Sequence, residues 1–387
     1  MAQTADANAG TLGHLTPDET RSLQEAWVHL LRLSGVDIPN EKIPDRKDEL
    51  LEEFKDKSPE AFHTSFWKLM ASEHPDATVL RFLRARKWDV PKAVGMLTSA
   101  VNWRRERRID EDIIGVGESV ALKAKPTTDD DGFIKQYRSG KSYIRGTDNE
   151  NRPIHFIRSR LHDPNLQSPE AMEAFILHNI ESVRMLAARA NVEKACLIFD
   201  LGGFGLRNMD FHVIRFLVTV FEARYPETLG AVHVHKAPFV FWGIWSIVKR
   251  WLDPVIAAKI TFTGGSDLTK YIPKENLQKS YGGKDDWEYK YFEPVAGEND
   301  HTDDEKKVEE ERDREDLLQR YQKLTVEWVG LDAESAAGKE KNAERDALVK
   351  ELQQNYWRLD PYRRARTYYH RCGVLDATGK VDFKAAA

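Results

Sequence analysis

Two groups of residues in the middle of the chain have types and spacings that could support chemistry. Gly202-Gly203-Phe204-Gly205 follows an apolar run, and a glycine turn between a strand and a helix can hold a phosphate on its backbone N–H groups. Because the lysine and hydroxyl residue of a nucleotide-binding loop do not follow, we favour a tight strand-to-helix turn. His233 and His235 would share one face of a strand and could hold a metal or a haem. No cysteine or acidic partner lies near them in sequence, which favours a structural or pocket-lining role.

The motifs of common catalytic sites are absent from the sequence. Neither G-x-S-x-G nor H-E-x-x-H occurs, and Asp200, at the end of an apolar run, has no partner acid in a known pattern. The two cysteines, Cys196 and Cys372, stand too far apart for a C-x-x-C metal motif. We therefore predict no catalytic residues, no metal site and no enzymatic activity.

The segment from Phe239 to Leu252, FVFWGIWSIVKRWL, is unusually apolar and aromatic. Helical spacing collects its large apolar side chains on one broad face, which holds Val240, Phe241, Ile244, Trp245, Ile247, Val248, Trp251 and Leu252. The opposite face holds Gly243, Ser246, Lys249 and Arg250. Two interpretations stay open. An ordinary core helix would bury the apolar face permanently, whereas a movable lid would cover an apolar cavity and lie against a bilayer when open.

The elements around this segment alternate between strand and helix. Short apolar runs predict four strands, at 152–158, 195–201, 231–235 and 259–263. Longer stretches at 170–189 and 211–225 have helical periodicity. Strands that alternate with helices of this length are typical of an α/β domain with a largely parallel sheet.

Helices are predicted on both sides of this domain. Towards the amino terminus, Thr16 with Glu19 forms a capping box, and Asp76 and Asp89 are candidate caps of two further helices. Beyond the domain, the residues at 298–316 are rich in Asp and Glu, and 305–328 and 339–358 have helical patterns. Apolar stripes in this tail could dock on the domain or on each other.

Composition limits the class of protein. The 387 residues carry a net charge of −5, which argues against a nucleic-acid binder with a global basic field. No apolar run reaches the roughly 18 residues of a membrane span, and the first residues lack the pattern of a secretory signal. We expect a soluble protein of a reducing compartment.

Several separated motifs resemble the CRAL-TRIO family in their order and spacing. These are DATVLRFLRARKWDV at 76–90, Tyr225 to Glu227, KAPF at 236–239, LDPV at 252–255, Lys259, and Gly282-Gly283-Lys284. Within the family, the chain most resembles the fungal phosphatidylinositol transfer proteins. The resemblance implies an α/β fold with a helical bundle followed by a lipid-binding domain that has a mixed, mostly parallel sheet. It divides the chain into an extension with one or two helices (1–73), the helical region (74–119), the lipid-binding domain (120–294) and an acidic helical extension (295–387).

The resemblance also implies a ligand site and a gate. The phosphoinositide headgroup would be held by Arg86, Lys87, Glu227 and Lys259. The gate helix would comprise Phe239, Phe241, Trp242, Ile244, Trp245, Val248, Trp251 and Leu252. Two departures alter the site: Ile256 replaces a threonine of the phosphoinositide pattern, and Ala195 and Leu197 replace the hydroxyl residues of the phosphatidylcholine pattern.

The function implied by the resemblance is binding and transfer of one lipid, with phosphatidylinositol as the expected ligand and no other cofactor. Because of the altered positions, a neutral hydrophobic ligand is an alternative to phosphatidylinositol. This ligand could be a sterol or an isoprenoid, with haem as a weaker alternative. A ligand-regulated scaffolding module is a further alternative. We expect a cytoplasmic protein that contacts intracellular membranes transiently, binds no nucleic acid and could contact a protein through its C-terminal extension.

Overall fold

A computed structural model of the chain describes residues 9–38, 58–190, 192–301, 303–376 and 378–385. These residues fall into two compact units. The helical unit contains the described residues up to Asp110 together with His301–Asp360, and the α/β unit contains Glu111–Asp300 and the residues from Pro361 onwards. The parts of the predicted N-terminal extension at 1–8 and 39–57 lie outside the described residues. None of the described helices is long and apolar enough to span a membrane.

The amino-terminal part of the helical unit contains α1 (Pro17–Leu33), α2 (Pro59–Met70), α3 (Pro75–Ala85) and α4 (Val90–Glu106). The predicted capping box begins α1, because the Glu19 N–H donates to Thr16 Oγ1 at 3.3 Å and the Thr16 N–H donates to Glu19 Oε2 at 2.8 Å. Asp89 caps α4 as predicted, since its Oδ1 accepts from the Lys92 N–H at 3.2 Å. Local side-chain chemistry therefore determines where these helices start.

The α/β unit is built on a five-stranded sheet in the order β1-β2-β3-β4-β5. The strands are β1 (Ser142–Thr147), β2 (Pro153–Arg158), β3 (Ala195–Asp200), β4 (Leu229–His235) and β5 (Ile260–Thr263). Strand β1 is antiparallel to β2, and all other pairs are parallel. The predicted α/β fold with a mixed, mostly parallel sheet is confirmed. The four predicted strands correspond to β2 to β5, and β1 was not predicted.

Helices of the α/β unit connect and cover the strands. They are α5 (Thr128–Arg138), α6 (Pro169–Arg189), α7 (Phe211–Ala223), α8 (Phe241–Val248) and α9 (Pro254–Ala258). Short 3-10 turns occur at Gly117–Leu122, Ser159–Leu161, Leu206–Asn208, Asp267–Lys270, Lys274–Asn276 and Lys279–Tyr281, and Ile109–Ile114 is a π turn. The helices predicted at 170–189 and 211–225 correspond to α6 and α7.

One face of the sheet is filled by protein side chains. Because successive residues of a strand point to opposite faces, alternate positions of β1, β2 and β3 meet the segment that follows β5. The packed residues are Tyr143, Ile154, Phe156, Cys196, Ile198, Leu268, Ile272, Leu277 and Tyr281. The other face of the sheet looks onto the cavity described below.

The C-terminal extension contributes to both units. Helix α10 (Asp304–Val329) and most of α11 (Ala336–Arg363) belong to the helical unit, where their apolar stripes join the core formed by α1 to α4. The buried residues that they supply are Leu317, Leu318, Tyr321, Trp328, Leu348, Val349 and Leu352. Helix α12 (Tyr368–Arg371) belongs to the α/β unit, where the Tyr369 hydroxyl accepts from the Ile144 N–H of β1 at 3.1 Å.

Asp76 lies at the centre of the helical unit and does not cap α3 as predicted. His74 is the cap, because its Nδ1 accepts from the Asp76 N–H at 3.1 Å. The buried Asp76 carboxylate accepts from Trp27 Nε1 at 2.6 Å and from the two terminal nitrogens of Arg345 at 2.7 and 3.0 Å. The Tyr321 hydroxyl donates to the same carboxylate at 3.2 Å. Burial is the largest single influence on the pKa of Asp76 and raises it. The charges of Arg345 and His74, with the hydrogen bonds from Arg345 and Trp27, together hold that pKa below its ordinary value.

We predict that Asp76→Asn lowers the free energy of unfolding by about 3–5 kcal/mol, because Arg345 would then be buried without a counter-charge. The matched control is Arg320→Met, which removes an exposed pair with Glu351 and should cost less than about 1 kcal/mol. Urea denaturation followed by tryptophan fluorescence measures both losses. Similar losses in the two variants would contradict a central role for the buried pair.

Candidate functional site

An apolar cavity of about 240 Å³ lies inside the α/β unit. Its walls are large apolar side chains from four helices, with the sheet as a floor. The apolar helical lining residues are Met172, Phe175, Ile176 and Ile180 from α6, Val213, Ile214, Leu217, Val218 and Phe221 from α7, Phe241, Ile244, Trp245 and Val248 from α8, and Ile256 from α9. Asn179 of α6 adds one polar side chain to the lining. A concave site of this composition suits an apolar ligand.

The floor of the cavity follows from strand geometry. Leu197 and Phe199 of β3 and Val232 and Val234 of β4 line it, since residues two apart share a face. Cys196, between these positions, points to the packed face, where burial raises the pKa of its thiol. No hydroxyl group stands on the part of β3 that faces the cavity.

His233 and His235 point away from the cavity. The His233 ring packs on Tyr271 with a centroid distance of 4.5 Å, and His235 Nδ1 lies 3.1 Å from Thr263 Oγ1. Burial lowers the pKa of both imidazoles, that of His233 to about 4. A haem in the cavity would meet neither ring, which removes the observation that suggested haem. Over the described ranges, no group of His, Cys, Asp and Glu residues could hold a metal ion.

The Gly202–Gly205 segment forms the tight turn favoured from the sequence. The Gly202 N–H donates to Asp200 Oδ1 at 2.9 Å, and the Gly205 N–H donates to Asn208 Oδ1 at 2.9 Å. These N–H groups are therefore occupied by the chain itself and do not form a phosphate cradle.

The segment Phe239–Leu252 forms a shorter helix than predicted. Helix α8 ends at Val248, and the chain then continues in tighter turns in which the Trp251 N–H donates to the Val248 carbonyl at 2.9 Å. Asp253 precedes Pro254, and a residue before proline is disfavoured in helical conformation. The predicted fourteen-residue pattern is thus divided between α8 and a turn.

Apolar side chains of this segment occupy two faces, not the single face predicted. Phe241, Ile244, Trp245, Val248 and Leu252 line the cavity. Phe239, Trp242 and Ile247 are exposed, at 93%, 45% and 44% of their surface. The prediction was wrong for Val240 and Ile247, which were placed on the same face as the residues that line the cavity but are exposed.

Trp251 has a different environment from the other predicted gate residues. Its ring meets Phe211 edge-on at a centroid distance of 5.9 Å, and the Arg215 guanidinium lies 4.7 Å from its centroid. Both partners belong to α7. Trp251 therefore packs the end of the segment against α7.

Three of the predicted ligand residues lie together at the amino-terminal ends of β4 and β5. Lys259 Nζ is 3.7 Å from Glu227 Oε2, and each side chain is 19% exposed. The Lys259 N–H donates to the carbonyl of Ile256 at 3.0 Å, and Ile256 lines the cavity. A partly exposed ion pair thus stands beside apolar lining.

The other predicted ligand residues belong to other elements. Leu197 lines the cavity, whereas Ala195 is buried at the start of β3, where its N–H donates to the Thr228 carbonyl at 2.9 Å. Arg86 and Lys87 belong to the helical unit and follow α3 directly; Arg86 is half-buried and Lys87 is exposed.

A second set of polar residues at the cavity was not predicted. Lys141 Nζ lies 3.0 Å from His162 Nδ1, and His162 Nε2 lies 3.1 Å from Asp210 Oδ2. Beside them, Ser142 Oγ contacts His155 Nε2. We call these five residues the carboxyl-end polar cluster, because four of them lie at the carboxyl ends of the parallel strands. The fifth, His155, stands inside β2. Of these five residues, only Asp210 has a role that the sequence could have indicated, as the residue that caps the start of α7.

Comparison with known proteins agrees with this architecture. Residues 137–283 match the family model of the CRAL/TRIO domain, and residues 48–99 match the model of the CRAL/TRIO N-terminal domain. The phosphatidylinositol transfer protein CSR1 of Eremothecium gossypii is 39% identical over 353 residues, which cover 89% of this chain and 79% of that protein. The chain belongs to the CRAL-TRIO family.

Relatives within the CRAL-TRIO family match different shares of the chain. A CRAL-TRIO domain-containing protein of Schizosaccharomyces pombe is 38% identical over 82% of this chain and 69% of its own length. The SEC14 cytosolic factor of Kluyveromyces lactis is 31% identical over 54% of this chain and 71% of its own length. The match to CSR1 therefore extends into the flanking helices, beyond the two family models.

Buried histidines of the CRAL-TRIO domain should make its stability depend on pH. Burial, assisted by Arg364 and Arg371, lowers the pKa of His178 from 6.5 to about 3, and burial lowers that of His155 from 6.5 to about 4. The unfolded chain then binds more protons than the native chain below about pH 6.5, so stability should be constant above that pH and fall towards pH 4. Urea denaturation at pH 7.5 and pH 5 tests this, and His178→Gln should reduce the dependence. An unchanged midpoint in the native protein would contradict the assignment.

Proposed function

We propose that this protein extracts one lipid from a membrane and carries or presents it, with phosphatidylinositol as the lipid that is best supported. The observation that carries the proposal is an apolar cavity walled by a helix whose opposite face exposes further large apolar side chains. The name of the relative CSR1, a phosphatidylinositol transfer protein, supports the choice of lipid.

The cavity would hold the acyl chains. Moving a methylene group from water into such a site contributes about 0.8 kcal/mol, so a bound lipid would be strongly protected from water. In a bilayer the same chains are already in apolar surroundings. Exchange between bilayer and cavity is therefore close to balanced, which allows the lipid to leave as well as to enter.

The segment Phe239–Leu252 would be the gate. Its exposed residues Phe239, Trp242 and Ile247 would enter the membrane interface, and the exposed Lys249 and Arg250 would reach the phosphates. Outward movement of α8 would then open the cavity wall towards the bilayer. Trp251, held by Phe211 and Arg215, would be the fixed end of that movement.

The Lys259–Glu227 pair of the α/β unit would bind the headgroup. For Arg86 and Lys87 of the helical unit, a headgroup role rests on the family resemblance alone. An ammonium or guanidinium group forms charge-assisted bonds to a phosphodiester, and a carboxylate accepts from inositol hydroxyls. Ile256 offers no hydroxyl beside this pair, so one headgroup bond of the family pattern would be missing. This supports a headgroup site that is present but altered.

We propose a mode of action by binding alone, without covalent chemistry, in the cytoplasm with transient membrane contact. The net charge of −5 gives no support to nucleic-acid binding. A protein partner of the C-terminal extension would meet the charged outer surfaces of α10 and α11, because their apolar stripes are buried within the helical unit.

A neutral ligand, such as a sterol or an isoprenoid, is the second candidate. Its support is the absence of hydroxyl groups at Leu197 and Ile256, both of which line the cavity. Such a ligand would use the same gate but would need no headgroup bond from Lys259.

We predict that Lys259→Ala reduces phosphatidylinositol transfer between vesicles by about tenfold, because one charge-assisted bond to the phosphate is lost. The control is Lys270→Ala, which removes an exposed lysine paired with Asp267 and should leave transfer unchanged. Unchanged transfer in Lys259→Ala would reject the headgroup assignment.

Mass spectrometry of organic extracts from the purified protein separates phosphatidylinositol from the neutral ligand. A sterol or isoprenoid without phospholipid would favour the neutral ligand.

We also predict that Phe239→Ser with Trp242→Ser slows lipid exchange with vesicles while leaving the thermal unfolding midpoint almost unchanged. Both side chains are exposed, so their loss removes membrane contact and little core. Leu166→Ser, at another exposed apolar residue of the α/β unit, is the control. If the double variant exchanges lipid as fast as the control, α8 is a static core helix.

A further inference from the structure

The carboxyl-end polar cluster lines the cavity, and the Lys259–Glu227 pair lies near the opposite ends of the parallel strands that form the cavity floor. Glu227 and Lys259 precede the parallel strands β4 and β5. Lys141 precedes the antiparallel strand β1, and its carbonyl accepts from the N–H of Arg158, the last residue of β2. Strands β2, β3 and β4 are six or seven residues long, so their two ends are about 17–20 Å apart along the strand direction.

Lys141 is a buried cation at an apolar cavity. It is 4% exposed and lines the cavity, and within the part of the chain that the structure describes its Nζ has one side-chain partner, the His162 ring at 3.0 Å. Among the described residues, no carboxylate oxygen lies within ion-pair distance of this ammonium; Asp163 and Asp210 act on it only at longer range. Burial without a close counter-ion is costly for a charged group.

Lys141 nevertheless keeps its proton at neutral pH. Burial lowers its pKa to about 8, opposed by the more distant Asp163 and Asp210. The ammonium donates to His162 Nδ1, which leaves the ring proton on Nε2 to be donated to Asp210 at 3.1 Å. An ammonium has three N–H donors, so two remain for a group that enters the cavity.

We propose that the carboxyl-end polar cluster binds the ionised head of an anionic amphiphile, a carboxylate or a phosphate monoester, whose apolar chain lies along the cavity. The anion would accept from Lys141 and supply its missing counter-charge. The Ser142 hydroxyl, which adjoins Lys141 and contacts His155, would lie beside the bound head. This inference rests on the proposed function, since it assumes that the cavity holds an apolar ligand.

A purely structural role for the same contacts has a different consequence. Asp210 caps α7 by accepting from the Val213 N–H at 3.1 Å, and His162 links this cap to Lys141. The chain of contacts therefore fixes the start of α7 against the loop after β2. Such a brace would stabilise the fold but would not make the cavity prefer an anion over a neutral group of the same chain length.

The test compares ligands that share one oleyl chain: oleic acid, oleoyl lysophosphatidic acid and oleyl alcohol. Binding to the full-length, delipidated protein is measured by calorimetry at pH 7.4, below the critical micelle concentrations. We expect at least one anion to bind roughly tenfold or more tightly than the alcohol, as one charge-assisted bond would give. The two anions identify the source of the charge, carboxylate or phosphate.

The matched variants are Lys141→Met, which keeps the apolar stem and removes the charge, and Lys270→Met at an exposed lysine. Lys141→Met should bind all three ligands with similar affinity, and Lys270→Met should keep the preference. Equal affinities in the unmodified protein would overturn the inference while leaving an apolar cavity and the proposed function intact. Absence of binding by all three would overturn both. Because the first comparison needs no variant, a folding defect in Lys141→Met does not prevent the test.

Discussion

The α/β unit depends on one constraint: its sheet has one face filled by side chains and one face that looks onto a cavity. Phe156 and Ile198 fill the first face, and Leu197 and Val232 line the second, because the period of a strand is two residues. Polar groups without partners are costly in an apolar cavity. Most polar lining residues on the sheet therefore stand where strands begin or finish, and His155, inside β2, contacts the Ser142 hydroxyl. The same sheet thereby carries an ion pair near one end of its parallel strands and a buried lysine near the other.

The helical unit depends on a different interaction. The ion pair between Asp76 of α3 and Arg345 of α11 joins residues 269 positions apart in the chain, and Trp27 and Tyr321 complete its hydrogen bonds. The C-terminal helices are therefore part of the core and not an appended tail. A deletion from residue 300 onwards would remove much of that core, so it could not separate lipid transfer from partner binding.

Much of the fold could be predicted from sequence, because capping residues and short apolar runs act locally. The Thr16 and Asp89 caps and the strands β2 to β5 are examples.

Features that depend on residues far apart in the sequence could not be predicted. Strand β1 contains Arg145, whose charge disrupts an apolar pattern and is paired with Asp285 at 2.8 Å. Lys141, His162 and Asp210 stand on three separate elements, and nothing local marks them as neighbours. The Phe239–Leu252 pattern correctly identified an apolar segment. It did not predict that the helix ends before Pro254, or that some of its apolar side chains face solvent.

Strand β1 forms an edge of the sheet, and an open edge is a template for pairing with another chain. Here its outer N–H groups are already used: that of Ile144 donates to the Tyr369 hydroxyl at 3.1 Å, and that of Gly146 donates to the Phe383 carbonyl at 3.0 Å. The segment that contains Tyr369 and Phe383 thus covers this edge of the sheet. Proteolytic removal of this segment would expose the unpaired N–H groups of β1. The protein would then be prone to aggregate through this edge, even with an intact cavity.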